Sequence, residues 1–360
     1  MTTAHINRIG TAHPPHDVHS AFVDFMRPAL SVGKARALFD RMAARAGIVH
    51  RYSVLHRDGL VEANAPEGGF YRRGAYPTTA ARMKIYETYA PALAAKAVAA
   101  LDLAGRALEI THLVVASCTG FVAPGLDQTL AKMLGLRADL QRTIVGFMGC
   151  AAAVPALRIA QSAVLADPAA RVLVINLELC TLHLQETDDL QTALCFLLFG
   201  DGCTAALVTA EATGIALGDF RATLIPESAH CITWHVGDHG FVMYLSGEVP
   251  GRIMRALRDD LARADADGLL RGEGTQAIDL WAVHGGGKTV LDAVQSGLAL
   301  DDHALQTSRN VLANHGNMSS ATIMFALKRI LDAAETGKRG LAMAFGPGMV
   351  AETFRFQVAA

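Results

Sequence analysis

The sequence predicts an α/β protein built from two copies of one unit. Strand-like and helix-like runs alternate, the strand runs are short and continuously apolar, and the order of elements recurs at a matching spacing. Residues 112–116 (HLVVA), 171–177 (RVLVINL), 204–209 (TAALVT), 280–283 (LWAV) and 340–344 (GLAMA) read as strands covered on both faces. Residues 149–165, 250–264 and 316–331 carry helical periodicity, and Pro124-Gly125, Gly200-Asp201-Gly202 and Gly346-Pro347-Gly348 punctuate the joins. In the first half HLVVA leads to GCAAAVPALRIAQSAVL and then to RVLVINL. In the second, LWAV leads to GNMSSATIMFALKRIL and then to GLAMA. About 36 residues separate the leading strand from the glycine in each half, and about 22–24 more reach the next strand. The two halves fall at residues 1–212 and 213–360.

The chain has 360 residues, 51% of them hydrophobic, and a formal charge of −2. That length buries a large core, and a near-neutral balance without a basic block argues against nucleic acid as a partner. The N-terminus lacks the basic-then-apolar run of a secretory signal. The densest apolar stretch, 193–199, is far short of the roughly 20 residues a membrane helix needs. The expectation is a cytoplasmic protein without integral membrane association. The six cysteines (Cys118, Cys150, Cys180, Cys195, Cys203 and Cys231) form no CxxC pair, so they read as thiols rather than as a zinc cluster or disulfides.

The repeat places chemistry. Cys150 and Asn317 occupy equivalent positions, each directly after a glycine at the start of a small-residue helix. A thiol at a helix start feels the positive end of the macrodipole, which lowers its pKa. His284 ends an apolar strand and precedes three glycines, a poor place for an imidazole without a task. A Cys, His and Asn set makes joint sense: the imidazole holds the thiolate as an ion pair, and the His N–H and Asn amide stabilise a carbonyl oxygen turning into an enolate or alkoxide. By itself each residue has a plainer reading, as a small buried hydrophobe, a satisfied core histidine and a helix N-cap.

Other motifs fail on inspection. HGGGKT would need glycine at Ala282 to be a phosphate loop, and the chain has no G-x-S-x-G elbow to accompany HGGG. GPGMVA is followed by strand-like residues rather than a helix, so it is no dinucleotide fingerprint. His235, Asp238 and His239 lack the further ligands of a metal site and read as a loop. No metal is expected.

With these residues in hand, a family likeness emerges. RTIVGFMGCAAAVPALR (142–158) resembles the nucleophile signature of type III polyketide synthases, the chalcone and stilbene synthase family. WAVHGGGKTVLDAV around His284, NHGNMSSATIMFAL around Asn317, LFGDG at 198–202 and AFGPG at 344–348 fit in the family's order. The likeness runs from about residue 45 to the C-terminus. It implies a thiolase-like αβαβα fold, a homodimer, and an enzyme that needs no cofactor. Cys150 would take a starter acyl group from CoA. Malonyl-CoA would lose CO2 with His284 and Asn317 stabilising the enolate, which attacks the cysteine-bound chain.

The resemblance also implies a substrate pocket. Phe199 matches the family's gatekeeper phenylalanine, and Met243 falls where plant members carry a second one. Cys118, Cys180 and His183 stand at positions usually threonine in the plant pocket, and Ala123 matches the methionine that crosses the dimer interface. Lys288 falls at the expected CoA tunnel mouth, and Gly346 and Pro347 belong to the GPG loop, whose first plant glycine is Ala344 here. These departures resemble bacterial members and favour an aliphatic starter with an alkylpyrone- or alkylresorcinol-like product. The nearest rival is an initiating ketoacyl-carrier-protein synthase, against which the FGPG, LFGDG and GNMSSA wording weighs. A catalytically silent lipid-binding homologue is disfavoured by retention of all three catalytic residue types.

Overall fold

A computed structural model describes residues 2–56, 69–103 and 105–359. Its strands are β1 (His5–Ala12), β2 (His16–Asp17), β3 (Tyr52–Ser53), β4 (His112–Ser117), β5 (Gln141–Gly146), β6 (Val172–Leu179), β7 (Asp201–Thr209), β8 (Ile215–Leu224), β9 (Ile232–Gly237), β10 (Gly240–Leu245), β11 (Leu280–Val283), β12 (Arg339–Gly346) and β13 (Val350–Val358). Nine of them join in the order β11-β12-β13-β8-β1-β7-β6-β4-β5. The parallel pairs β4–β6 and β11–β12 are equivalent, as are the antiparallel pairs β6–β7 and β12–β13. The seam between the halves, β1 against β8, is only two residue pairs wide.

The uninterrupted apolar strands are explained by burial on both faces. Leu113 and Val115 of β4 pack with Tyr86, Ala90 and Leu93 of the Thr79–Leu101 helix. Their neighbours Val114 and Ala116 point the other way, towards a core shared with the helices Ala153–Ala166 and Ala321–Ala333. In the second half Trp281 and Val283 face the Val249–Arg263 and Lys288–Gly297 side, while Ala282 faces the same central helices. Each buried Leu or Val among them contributes roughly 1.5–3 kcal/mol. The Ala321–Ala333 helix is buried all round over Ala321–Leu327, where no residue is charged, and its Lys328, Arg329 and Asp332 lie in the more exposed C-terminal turns. The layers therefore run helix, sheet, helix, sheet, helix. The one stretch among the described residues long and apolar enough to cross a membrane, Gly149–Ala166, is a central-layer core segment.

The strand expectations hold to within one to three residues, but both helix starts differ. Cys150 lies in a 3-10 turn, Gly149–Ala151, and the α-helix begins at Ala153. Asn317 lies four residues ahead of its helix, which begins at Ala321. It is therefore no N-cap: its Oδ1 accepts the Ser319 N–H at 2.8 Å within the turn. All six cysteines are free.

Candidate active site

Cys150, His284 and Asn317 line one cavity of about 60 Å3, at the point where the two halves meet. Gly149 brings Cys150 there. It adopts φ +60°, and a Cβ on it would lie 2.3 Å from the Cδ of Pro347, so only glycine lets the nucleophile turn pack on the GPG loop. Cys118 supports the same turn, its sulfur accepting the Gly149 N–H at 3.0 Å. His284 extends β11 by one backbone bond, its N–H donating to Met343 O at 2.8 Å. Asn317 is fixed by a bridge to the Phe199 segment, with its N–H on Leu198 O at 2.8 Å and its carbonyl accepting from Gly200 N at 3.0 Å.

The side-chain bonds set what these groups can do. Asn317 Oδ1 accepts from Ser319 and lies 4.0 Å from the Cys150 Sγ, while Nδ2 donates to Gly286 O at 3.1 Å. An amide carries two N–H donors, which leaves one for a ligand. His284 is 2% exposed, yet neither ring nitrogen has a partner. A buried imidazole left this way costs about 1–3 kcal/mol, a deficit that a ligand's oxygen or thiol would relieve.

Electrostatically, the site departs from the helix-start expectation. Burial pushes the Cys150 thiol up to about 11, with a hydrogen bond from Ser319 working against it and the nearby Glu178 reinforcing it. Cys150 opens partly onto the cavity, but the cavity is itself enclosed and apolar, so desolvation outweighs the dipole. Burial pulls His284 down to about 4. Both shifts favour the neutral thiol and the neutral imidazole. Alkylation of Cys150 by iodoacetamide should keep accelerating with pH until about 11; a plateau at neutral pH would show a preformed ion pair.

The walls follow a period-2 pattern. Ile232 and Trp234 of β9 face Leu245 and Met243 of β10 across the hairpin and line the cavity, while Val242 and Tyr244 point to solvent. Phe199, Cys118, Cys180, Gly346 and Pro347 also line it.

Three expected pocket residues do not. His183 is fully buried behind the wall, stacked on Phe241 with ring centroids 4.2 Å apart. Its Nδ1 accepts from Phe241 N at 2.9 Å, so Nε2 donates to Thr119 O at 2.7 Å, and both nitrogens are spent holding the hairpin. Ala123 is exposed in the loop before the Leu126–Met133 helix. Lys288 is half exposed and paired with Asp292 at 2.7 Å.

Sequence reasoning missed Glu178. Its carboxylate is fully buried beneath the site and accepts from Cys118 N at 3.0 Å, Thr119 Oγ1 at 2.8 Å and Ser320 Oγ at 2.6 Å. Burial pushes its pKa up to about 7. The available signal was a lone carboxylate in a strand whose one other polar residue is Asn176. Metal-capable donors cluster at His230, Cys231 and Glu248 instead of at His235, Asp238 and His239, but Glu248 is paired with Arg252 at 2.8 Å.

The models for the N- and C-terminal domains of chalcone and stilbene synthases match residues 2–212 and 218–359. The chain is 36% identical over 369 residues to bisdemethoxycurcumin synthase of Oryza sativa subsp. japonica, covering 96% of this chain and 90% of that one. It is 35% identical over 290 residues to the alpha-pyrone synthesis polyketide synthase-like Pks18 of Mycobacterium tuberculosis, covering 77% and 73%. Its structure superposes on PKS-I from the brown alga Ectocarpus siliculosus with a TM-score of 0.88 at 29% identity over 99% of both chains. With the thiolase-like layering, these matches over almost its whole length show that the chain belongs to the chalcone and stilbene synthase family and is a type III polyketide synthase, an acyltransferase that forms carbon–carbon bonds by Claisen-type condensation.

Proposed function

We propose that this polyketide synthase works through Cys150, His284 and Asn317. The observation that carries the reading is their convergence on one apolar cavity, with both His284 ring nitrogens unpartnered. In loading, His284 takes the Cys150 proton, the thiolate attacks the starter thioester, and CoA leaves with the proton. In extension, malonyl-CoA loses CO2. The resulting enolate oxygen is held by an N–H of neutral His284 and the second N–H of Asn317. The enolate carbon then attacks the cysteine-bound carbonyl, and the Cys150 thiolate leaves. Carbon dioxide loss supplies the carbanion and no electrons change hands, so the cycle calls for no electron carrier or other cofactor.

The substrates are an acyl-CoA starter and malonyl-CoA, the enzyme works in the cytoplasm, and its working form is a homodimer. Edge strand β5 supports the last point, with its outward Ile144 half exposed and Phe121, Met133 and Met148 exposed nearby. In such a dimer Ala123 meets the partner subunit.

The apolar cavity and the likeness to the mycobacterial alpha-pyrone synthesis polyketide synthase-like protein favour an aliphatic starter and an alkylpyrone- or alkylresorcinol-like product. Incubation with a panel of acyl-CoAs plus malonyl-CoA, read by mass spectrometry, tests this; turnover confined to aromatic starters would overturn it. Chain length should respond to Met243. Each methylene accommodated contributes roughly 0.8 kcal/mol, and Met243→Phe replaces a pliable wall with a stiff one. Relative kcat/KM should shift towards shorter starters, whereas a uniform fall over all lengths would make Met243 merely structural.

A further inference from the structure

Arg51 is buried to 1% exposure, and no step above uses it. Its Nη1 donates to the carbonyls of Phe196 at 2.9 Å and Phe199 at 2.7 Å. Its Nε donates to His19 Nδ1 at 3.0 Å, and the guanidinium lies 4.5 Å from the centre of the Phe22 ring. Among the described residues no carboxylate pairs with the head; Asp17 and Asp201 act on it only from a distance. Burial draws Arg51 down to about 9, which keeps it charged at neutral pH, and holds His19 at about 4, a neutral acceptor.

The geometry connects this strap to the site. Phe196 ends the Leu190–Phe196 helix, where carbonyls lack intrahelical partners, and Phe199 stands at the cavity wall. The Arg51 stem runs against Gly316: a Cβ there would meet its Cγ at 2.7 Å and its Cδ at 2.9 Å. A Cβ on Gly200 would meet the Arg51 Cβ at 3.5 Å. Those glycines flank the two bridged residues, for Gly200 follows Phe199 and Gly316 precedes Asn317. The charged head thus grips one side of the bridge through Nη1, with Nε anchored on His19 and Nη2 left unpaired, while its stem bears on the other side.

We propose that Arg51 is a positioning residue that fixes the Phe199 gate and, through the Phe199–Asn317 bridge, the Asn317 amide. This rests on the roles assigned to Phe199 and Asn317 above. The test is Arg51→Lys, which keeps the charge but not the fork. Hydrogen exchange read by mass spectrometry should rise in residues 196–200 and 315–319 and stay unchanged in the central helices. The kcat for malonyl-CoA decarboxylation should fall about 10²-fold, the scale of a small misplacement, with KM and acyl loading of Cys150 by a small starter little altered. Unchanged exchange and kcat would overturn the proposal. So would a uniform rise in exchange with loading and Tm falling together, which would mark an ordinary core residue. Should Arg51→Lys fail to fold, Phe22→Leu removes the ring beneath the guanidinium and should give the same local pattern at smaller size; its absence counts against the strap. A parent enzyme that neither loads nor decarboxylates would sink the triad reading instead, and the exchange measurement would still decide the strap.

Discussion

Cys150→Ser is expected to abolish the acyl adduct seen by intact-protein mass spectrometry, a loss of at least ~10³-fold in loading. A serine hydroxyl is a far weaker acid than even a thiol raised to about 11, so neutral His284 cannot draw off its proton usefully. The fold should be untouched, because the exchange is nearly isosteric and Cys150 makes no bond that a hydroxyl could not. The informative failure would be an adduct that persists on Cys118 or Cys180, both of which line the cavity. Their thiols are pushed well above the ordinary range by burial and by Glu178, so they should stay unreacted.

Loss of His284 or Asn317 should strike extension hardest. Removing one donor to a developing oxyanion typically costs about 10²–10³ in rate. Asn317→Ala should therefore cut malonyl-CoA decarboxylation by that factor and leave loading nearly intact. His284→Leu should lower both, since no other unpartnered base among the described residues lines the cavity. The same variant should hold or raise Tm, because it removes two buried nitrogens that have no partner. Full decarboxylation by Asn317→Ala would refute its role, and a marked fall in Tm for His284→Leu would show that the ring is a packing element.

Much of this was legible in the chain itself. Strands covered on both faces must be continuously apolar, so β4, β6, β11 and β12 announced themselves. The duplicated spacing brought Cys150 and Asn317 into correspondence. What stayed hidden depends on contacts distant in sequence. Arg51 reads as one more arginine in HRYSV, because its partners lie about 145 residues away. His183 was assigned to the pocket on a likeness of position; the hydrogen bonds to Thr119 and Phe241 that turn it into a brace have no local signature. The burial that raises the Cys150 thiol is likewise hidden, because a dipole argument is local whereas desolvation sums over every wall of the cavity.

The division of labour across the seam has a consequence for biosynthesis. In the proposed triad the nucleophile and its two partners are encoded in opposite halves, joined at the site by Gly149 seated on Pro347 and by the Phe199–Asn317 bridge. A ribosome releases the nucleophile 134 residues before the base and 167 before the amide, into a cell full of reactive thioesters. Until the second half folds back, that cysteine meets solvent as its only proton acceptor, and no amide waits for an enolate. Under the proposed triad, decarboxylative extension thus begins only in a finished molecule.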